Sequence, residues 1–249
     1  MEHQPFISPE HARLIRRLET IAEVGEPIRR QIAALPLRIK TVAENEDIVR
    51  EGDHPRESCL VLDGVICRYK LVAGGKRQIL SLNFAGDLPD FQSLHLDAMD
   101  HHVSALVPSR VAFIPHEALL AAIHAMPELG DLFDRHSLIE ASQFREWIAN
   151  VGRRSALQRV AHIFCEVYLR MRALGLSSGD AISLPLTQTE IGDATGLSTV
   201  HVNRVMQELR RRGLIASNGN LHTFSNWEGL REAGDFDPLY LHLRPEARP

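Results

Sequence analysis

The stretch that most constrains this chain is Leu186–Leu209. Its residues predict two short helices joined by a tight turn. Thr187 stands where a helix cap belongs, and Glu190 follows three residues later, the spacing of a capping box. Ile191 and Ala194 give the first helix an apolar face. Gly196 permits the left-handed backbone that ends a helix and turns the chain sharply. Ser198 can cap the second helix, in which Val202, Val205, Met206 and Leu209 recur at spacings of three and four and so face inward. The opposite face carries Thr199, His201, Asn203, Arg204 and Gln207, whose polar groups can bond base edges or phosphates. This is the pattern of a helix-turn-helix, with the second helix, about residues 198–210, entering a major groove of double-stranded DNA. The predicted contact surface is Thr187, Gln188, Ser198, Thr199, Val200, His201, Asn203, Arg204 and Gln207.

An ordinary pair of antiparallel helices would show the same apolar spacing. The base-reading residue types on the outer face argue against it, as does the run Arg210-Arg211-Arg212 that follows. Next come Gly213-Leu214-Ile215 and then Asn218-Gly219 between short apolar stretches. Asn-Gly is the strongest local signal for a two-residue hairpin turn. Helix, turn, helix and hairpin make a winged helix. The charge distribution agrees. The whole chain is acidic, with net charge -4, yet residues 150–215 hold nine arginines against five acids, as expected of a module that faces phosphates.

A length of 249 residues fits one large domain or two ordinary ones. No apolar run is long enough to span a bilayer, and the segment Met1–Pro5 does not resemble a secretion signal. Cys59, Cys67 and Cys165 make neither a disulfide framework nor a zinc cluster. The expectation is a cytoplasmic protein without a membrane partner.

Residues 8–34 read as two helices broken at Gly25-Glu26-Pro27. From Leu37 to Pro115 the pattern changes to short strands punctuated by Glu51-Gly52-Asp53, Asp63-Gly64, Gly74-Gly75 and Ala85-Gly86-Asp87, which predicts a sandwich or barrel. A short helix from Pro115 precedes a long one over about residues 127–151. The apolar positions of the long helix cover too wide an arc for one strict coiled-coil seam. One side is expected to pack on the barrel and the other on the same helix of a second subunit. Another helix follows Ser155, and residues 175–180 read as a loop. The predicted fold is α+β, divided into residues 1–126, the long helix 127–151, the winged helix 152–233 and a tail 234–249.

This order of elements resembles the Crp/Fnr family of bacterial transcription regulators, over about residues 37–225. The resemblance is strongest in Leu186–Ile215 and continues in the glycine turns at 51–53, 63–64 and 85–88. It implies an N-terminal double-stranded β-helix (jelly-roll) effector domain, a long dimerisation helix and a C-terminal winged helix-turn-helix. It also implies a homodimer on a two-fold symmetric DNA site, with RNA polymerase as a further partner. Arg204 stands where the family has its recognition-helix arginine, which contacts a guanine and a nearby phosphate.

Departures from the family pattern bear on the signal. Members that bind cyclic AMP neutralise its phosphate with an arginine in an Arg-Ser-Ala segment. Here the matching residues are Val103-Ser104-Ala105. A buried phosphate without a cation costs several kcal/mol. The residues that would line such a pocket are Gly86, Asp87, Leu88, Val103 and Ser104, with Arg145 reaching back from the long helix. Members with an iron–sulfur cluster use four cysteines, and this chain has three. His95, His101 and His102 form the one histidine-rich loop that a haem or metal could use. No cofactor is expected, and the alternative is a regulator responsive to a cyclic nucleotide or other small ligand. In the recognition helix, many relatives carry a glutamate that accepts from a cytosine amino group where this chain has Val200, so its half-site should differ from theirs. An enzyme would need an inward-facing His and carboxylate constellation, a phosphate-cradling loop or a nucleophile elbow, and none is legible. A winged helix that binds protein rather than DNA would lack the steep salt dependence of phosphate contacts.

Overall fold

The computed structural model describes residues 7–245. By its contacts the chain forms two units. The first combines the chain up to Lys70 with Ser81–Leu138, and the second combines Leu71–Leu80 with the chain from Ile139 onward.

The first unit opens with α1 (Pro9–Glu19) and α2 (Glu26–Ala33). Ser8 caps α1 by accepting from the His11 N–H, and the break runs from Thr20 to Gly25, so that Glu26 and Pro27 open α2 rather than interrupt the chain. Seven strands follow: β1 (Arg38–Val42), β2 (Asp47–Val49), β3 (Glu57–Asp63), β4 (Ile66–Val72), β5 (Lys76–Asn83), β6 (His102–Ala105) and β7 (Ser109–Pro115). They form two antiparallel sheets, ordered β1-β7-β3 and β2-β6-β4-β5. Both sheets contribute apolar side chains to the inside. Val42, Val49, Cys59, Val61, Ile66, Met99, Val103, Ala105 and Val111 make one buried cluster, with Ile48 and Phe113 against it. Side chains of its own strands thus pack inside the roll, as in small barrels generally. Helix α3 (His116–Ala125) follows.

α1 is seated on the turn between β5 and β6. Gly86 there has φ +95°, and a Cβ at that position would stand 2.4 Å from the Arg13 carbonyl oxygen. Only glycine lets the helix approach so closely. Beside it, Arg17 Nε donates to Asp87 Oδ1 at 2.6 Å in a buried ion pair.

α4 (Pro127–Arg153) is continuous for 27 residues. Leu129, Leu132, Phe133, Ile139 and Trp147 are buried, whereas Leu138 and Ile148 are each 70% exposed. The wide apolar arc thus divides into a covered side and an open one.

In the second unit α5 (Ala156–Ala173) begins at a capping box of Ser155 and Gln158. It packs against β8 (Ser177–Ser178), β9 (Ala181–Ser183), α6 (Gln188–Thr195), α7 (Thr199–Arg211) and α8 (Trp227–Ala233), and β10 (Ala216–Asn218) and β11 (Leu221–Thr223) form the wing. Two sequence expectations need correction. The segment 175–180 is not all loop, because Ser177 and Ser178 pair with Ile182 and Ala181. The wing turn is Gly219-Asn220, one residue later than Asn218-Gly219, since Asn218 pairs with Leu221. Gly219 supplies the positive φ, 58°, at the first turn position. Beyond Gly234, Phe236, Tyr240, Leu241 and Leu243 are buried. The Tyr240 hydroxyl donates to Glu166 Oε2 at 2.7 Å. Trp147 Nε1 and Arg170 Nη1 reach the same buried carboxylate at 3.0 and 3.3 Å, so its charge is compensated.

Candidate nucleic-acid interface

The helix-turn-helix forms as its residues predict. Thr187 Oγ1 accepts from the Glu190 N–H at 3.2 Å, and Glu190 Oε2 accepts from the Thr187 N–H at 2.6 Å. Gly196 ends α6 in the left-handed conformation with φ 69°. Ser198 Oγ accepts from the His201 N–H at 3.3 Å and starts α7. Val202, Val205, Met206 and Leu209 are buried together on one side of α7.

Sequence reasoning missed what holds the turn tight. A Cβ on Gly192 would lie 2.6 Å from the Leu197 carbonyl oxygen, so a residue in mid-helix must be glycine for α6 and α7 to meet. A glycine inside a helical pattern was the available signal. Arg159 Nη1 donates to the Thr195 carbonyl at 3.1 Å, at the end of α6. On the outer side of α6, Arg77 Nε pairs with Asp193 Oδ2 at 2.7 Å within the same unit.

The outer face of α7 presents Thr199, Val200, His201, Arg204 and Gln207 to solvent, with Asn203 half-buried. Ser198 and Thr187 are exposed beside them, and Gln188 is half-buried at the start of α6. Among the described residues, Arg204 has no hydrogen-bond or ion-pair partner. Its neighbours further along differ. Arg211 and Arg212 both bond to Glu208, at 2.8 and 2.7 Å, and together they pull its carboxyl down to about 2. Val200 is 64% exposed, an isolated branched aliphatic side chain on a polar face. An unpartnered guanidinium and an uncovered methyl pair, held on a rigid helix, can meet a guanine edge and a thymine methyl.

The residues proposed for a ligand pocket are placed otherwise. Gly86, Asp87, Leu88, Val103 and Ser104 are all buried, and Arg145 is exposed on α4. Asp87 is engaged by Arg17, and Ser104 Oγ donates to the Glu46 carbonyl at 3.2 Å. Val103 belongs to the apolar cluster. Directly across the strands from Val103 stands Arg68, which is buried. Its guanidinium donates to the carbonyls of Pro89 and Leu88. Nothing in the sequence pattern points to this cation, because register between strands is not local information. The loop histidines go to separate partners: His101 to Asp100 and Gln92, and His102 to a stack on Tyr69. Among the described residues no group of three or more His, Cys, Asp or Glu is gathered to hold a metal. No helix among them is long and apolar enough to cross a membrane.

Comparison with known proteins agrees with this geometry. Residues 158–233 match the Crp-like helix-turn-helix domain, and residues 39–125 match the cyclic nucleotide-binding domain. A probable transcriptional activator of Rhizobium leguminosarum bv. viciae is 30% identical over 172 residues, covering 68% of this chain and 69% of that protein. The chain belongs to the Crp/Fnr family of transcription regulators. The fumarate and nitrate reduction regulatory protein of Vibrio cholerae is 26% identical over 195 residues, 78% of each chain. FixK2 from Bradyrhizobium japonicum shares the fold, with a TM-score of 0.69 at 22% identity, over 80% of this chain and 98% of that one. As in the rest of the Crp/Fnr family, the helix-turn-helix is a DNA-binding module.

Proposed function

We propose that this Crp/Fnr regulator is a homodimer that reads a two-fold symmetric site in double-stranded DNA through α7, and that it is not an enzyme. The observation that carries the reading is Arg204, exposed and unpartnered on the outer face of α7. Thr187, Gln188, Ser198, Thr199, Val200, His201, Asn203 and Gln207 surround it as the contact surface. Helix-turn-helix dimers read half-sites about one DNA turn apart. A second subunit is supported by the open side of α4, where Leu138, Ala141, Arg145, Ile148 and Gly152 follow the alternating three-and-four spacing of a coiled-coil seam. The relative from Rhizobium is an activator by name, which supports RNA polymerase as a partner.

Selection of bound sequences from random DNA tests this reading. A two-fold symmetric consensus is expected, with a guanine in each half. Arg204→Ala should cost about 1–3 kcal/mol and flatten the preference at that guanine. Unchanged selection by the variant would remove Arg204 from the base-reading role.

We also infer that neither cyclic AMP nor an iron–sulfur cluster controls the protein. Arg17 holds Asp87, the carbonyls of Leu88 and Pro89 engage Arg68, and Val103 packs in a buried apolar cluster inside the roll. Cys59, Cys67 and Cys165 are buried, and burial raises the Cys59 and Cys165 thiols above their ordinary range. The competing reading, a ligand-responsive roll, is favoured by the match to the cyclic nucleotide-binding domain. A thermal-shift titration with cyclic AMP and cyclic GMP separates the two. No stabilisation is expected, whereas saturable binding to the native state would raise the melting temperature with concentration.

A further inference from the structure

We propose that Gln188, Asn203 and Gln207 act as one hydrogen-bonded amide relay, in which Asn203 positions its neighbours and Gln207 reads an adenine in each half-site. The inference rests on the assignment of α7 as the groove helix. Asn203 Nδ2 donates to Gln188 Oε1 at 3.1 Å, and Gln207 Nε2 donates to Asn203 Oδ1 at 3.0 Å. Both ends of the Asn203 carboxamide are therefore engaged within the protein. Donation runs in one direction, from Gln207 through Asn203 to Gln188.

This direction fixes which way the Gln207 amide faces. Among the described residues its carbonyl oxygen and second N–H have no partner, and the side chain is exposed. An acceptor beside a donor in one plane matches the N6 amino group and N7 of adenine. In the major groove guanine offers two acceptors, cytosine one donor and thymine one acceptor. An unrestrained glutamine would lose rotamer freedom on docking and could present its amide either way round. A relay already formed in the free protein removes both costs. Gln207 lies three residues beyond Arg204, a rise of about 4.5 Å along the helix. The adenine and the guanine should therefore fall within two base pairs of each other.

The test is selection from random DNA by the full-length protein and four variants. The wild type is expected to enrich an adenine near the guanine assigned to Arg204. Gln207→Ala should equalise the four bases at that position alone. Gln207→Glu, which can only accept, should shift the preference from adenine to cytosine. Asn203→Ala should weaken the same adenine preference about tenfold, within the range expected for one bidentate contact, and leave the guanine unchanged. Adding Gln207→Ala to Asn203→Ala should do no more than Gln207→Ala does. The relay is overturned if Asn203→Ala and Gln207→Ala erase preferences at two different base pairs, or if Gln207→Glu still selects adenine. A wild-type guanine without the adenine removes the relay alone. A wild type that enriches nothing removes the reading of α7 itself.

Discussion

Arg17→Met is expected to lower the unfolding free energy of the first unit by about 3–5 kcal/mol, the usual cost of taking one partner from a buried ion pair. The Arg17 and Asp87 side chains are 6% and 2% exposed, so water screens neither charge. Asp87 Oδ2 accepts from the Phe84 N–H at 2.8 Å, and the His136 ring stands 4.0 Å from Oδ1. Methionine fills much of the volume of the lost side chain, leaving a buried carboxylate without its guanidinium. Arg17 also donates to Thr20 Oγ1 at 3.0 Å, a smaller loss. Adding Asp87→Asn to Arg17→Met removes the stranded charge and keeps an acceptor for Phe84, so the double variant should recover part of the stability. Urea unfolding followed by fluorescence and circular dichroism measures both. A single-variant loss below about 1 kcal/mol would be the value of a solvated pair, and α1 would then not be seated on the Gly86 turn as described.

The helix-turn-helix was legible because everything that builds it is local. Thr187 and Glu190 are three residues apart, Gly196 acts through its own φ, and the buried positions of α7 repeat within one helix. The strands of the roll were legible for a similar reason, since glycine turns separate them. What stayed hidden depends on residues distant in sequence. Arg68 faces Val103 only through the register of β4 and β6. Tyr240 joins the core where Glu166, 74 residues earlier, accepts the hydrogen bond of its hydroxyl. The wing turn slipped by one residue because Asn218 answers to its partner Leu221, not to its neighbour Gly219. At the candidate site the residue types on α7 could be read from spacing, but their division of labour could not. Asn203 belongs by type and spacing to the base-reading face, but the two bonds of its amide to Gln188 and Gln207 depend on side-chain geometry that spacing does not carry.

Leu138→Glu combined with Ile148→Glu is expected to convert the protein to a monomer and to weaken binding to a two-half-site DNA by about 10²–10⁴-fold. In a two-fold interface each residue near the axis meets its own copy. Aliphatic side chains at these positions bury each other, whereas glutamates would face glutamates. Leu138 and Ile148 are ten residues apart on α4, and both are 70% exposed in the single chain. Glutamate suits an exposed helix, so each chain should keep its fold. Between them stands the exposed Arg145, and in the proposed seam a charge there would lower stability but fix register and subunit number. Sedimentation velocity reads the monomer, and gel shifts on DNAs with one or two half-sites read the loss of avidity. Affinity for a single half-site should hardly change, because α7 lies outside the seam. A variant that remained dimeric would place the interface elsewhere, whereas a monomer binding the two-half-site DNA at full strength would show that the half-sites are read independently.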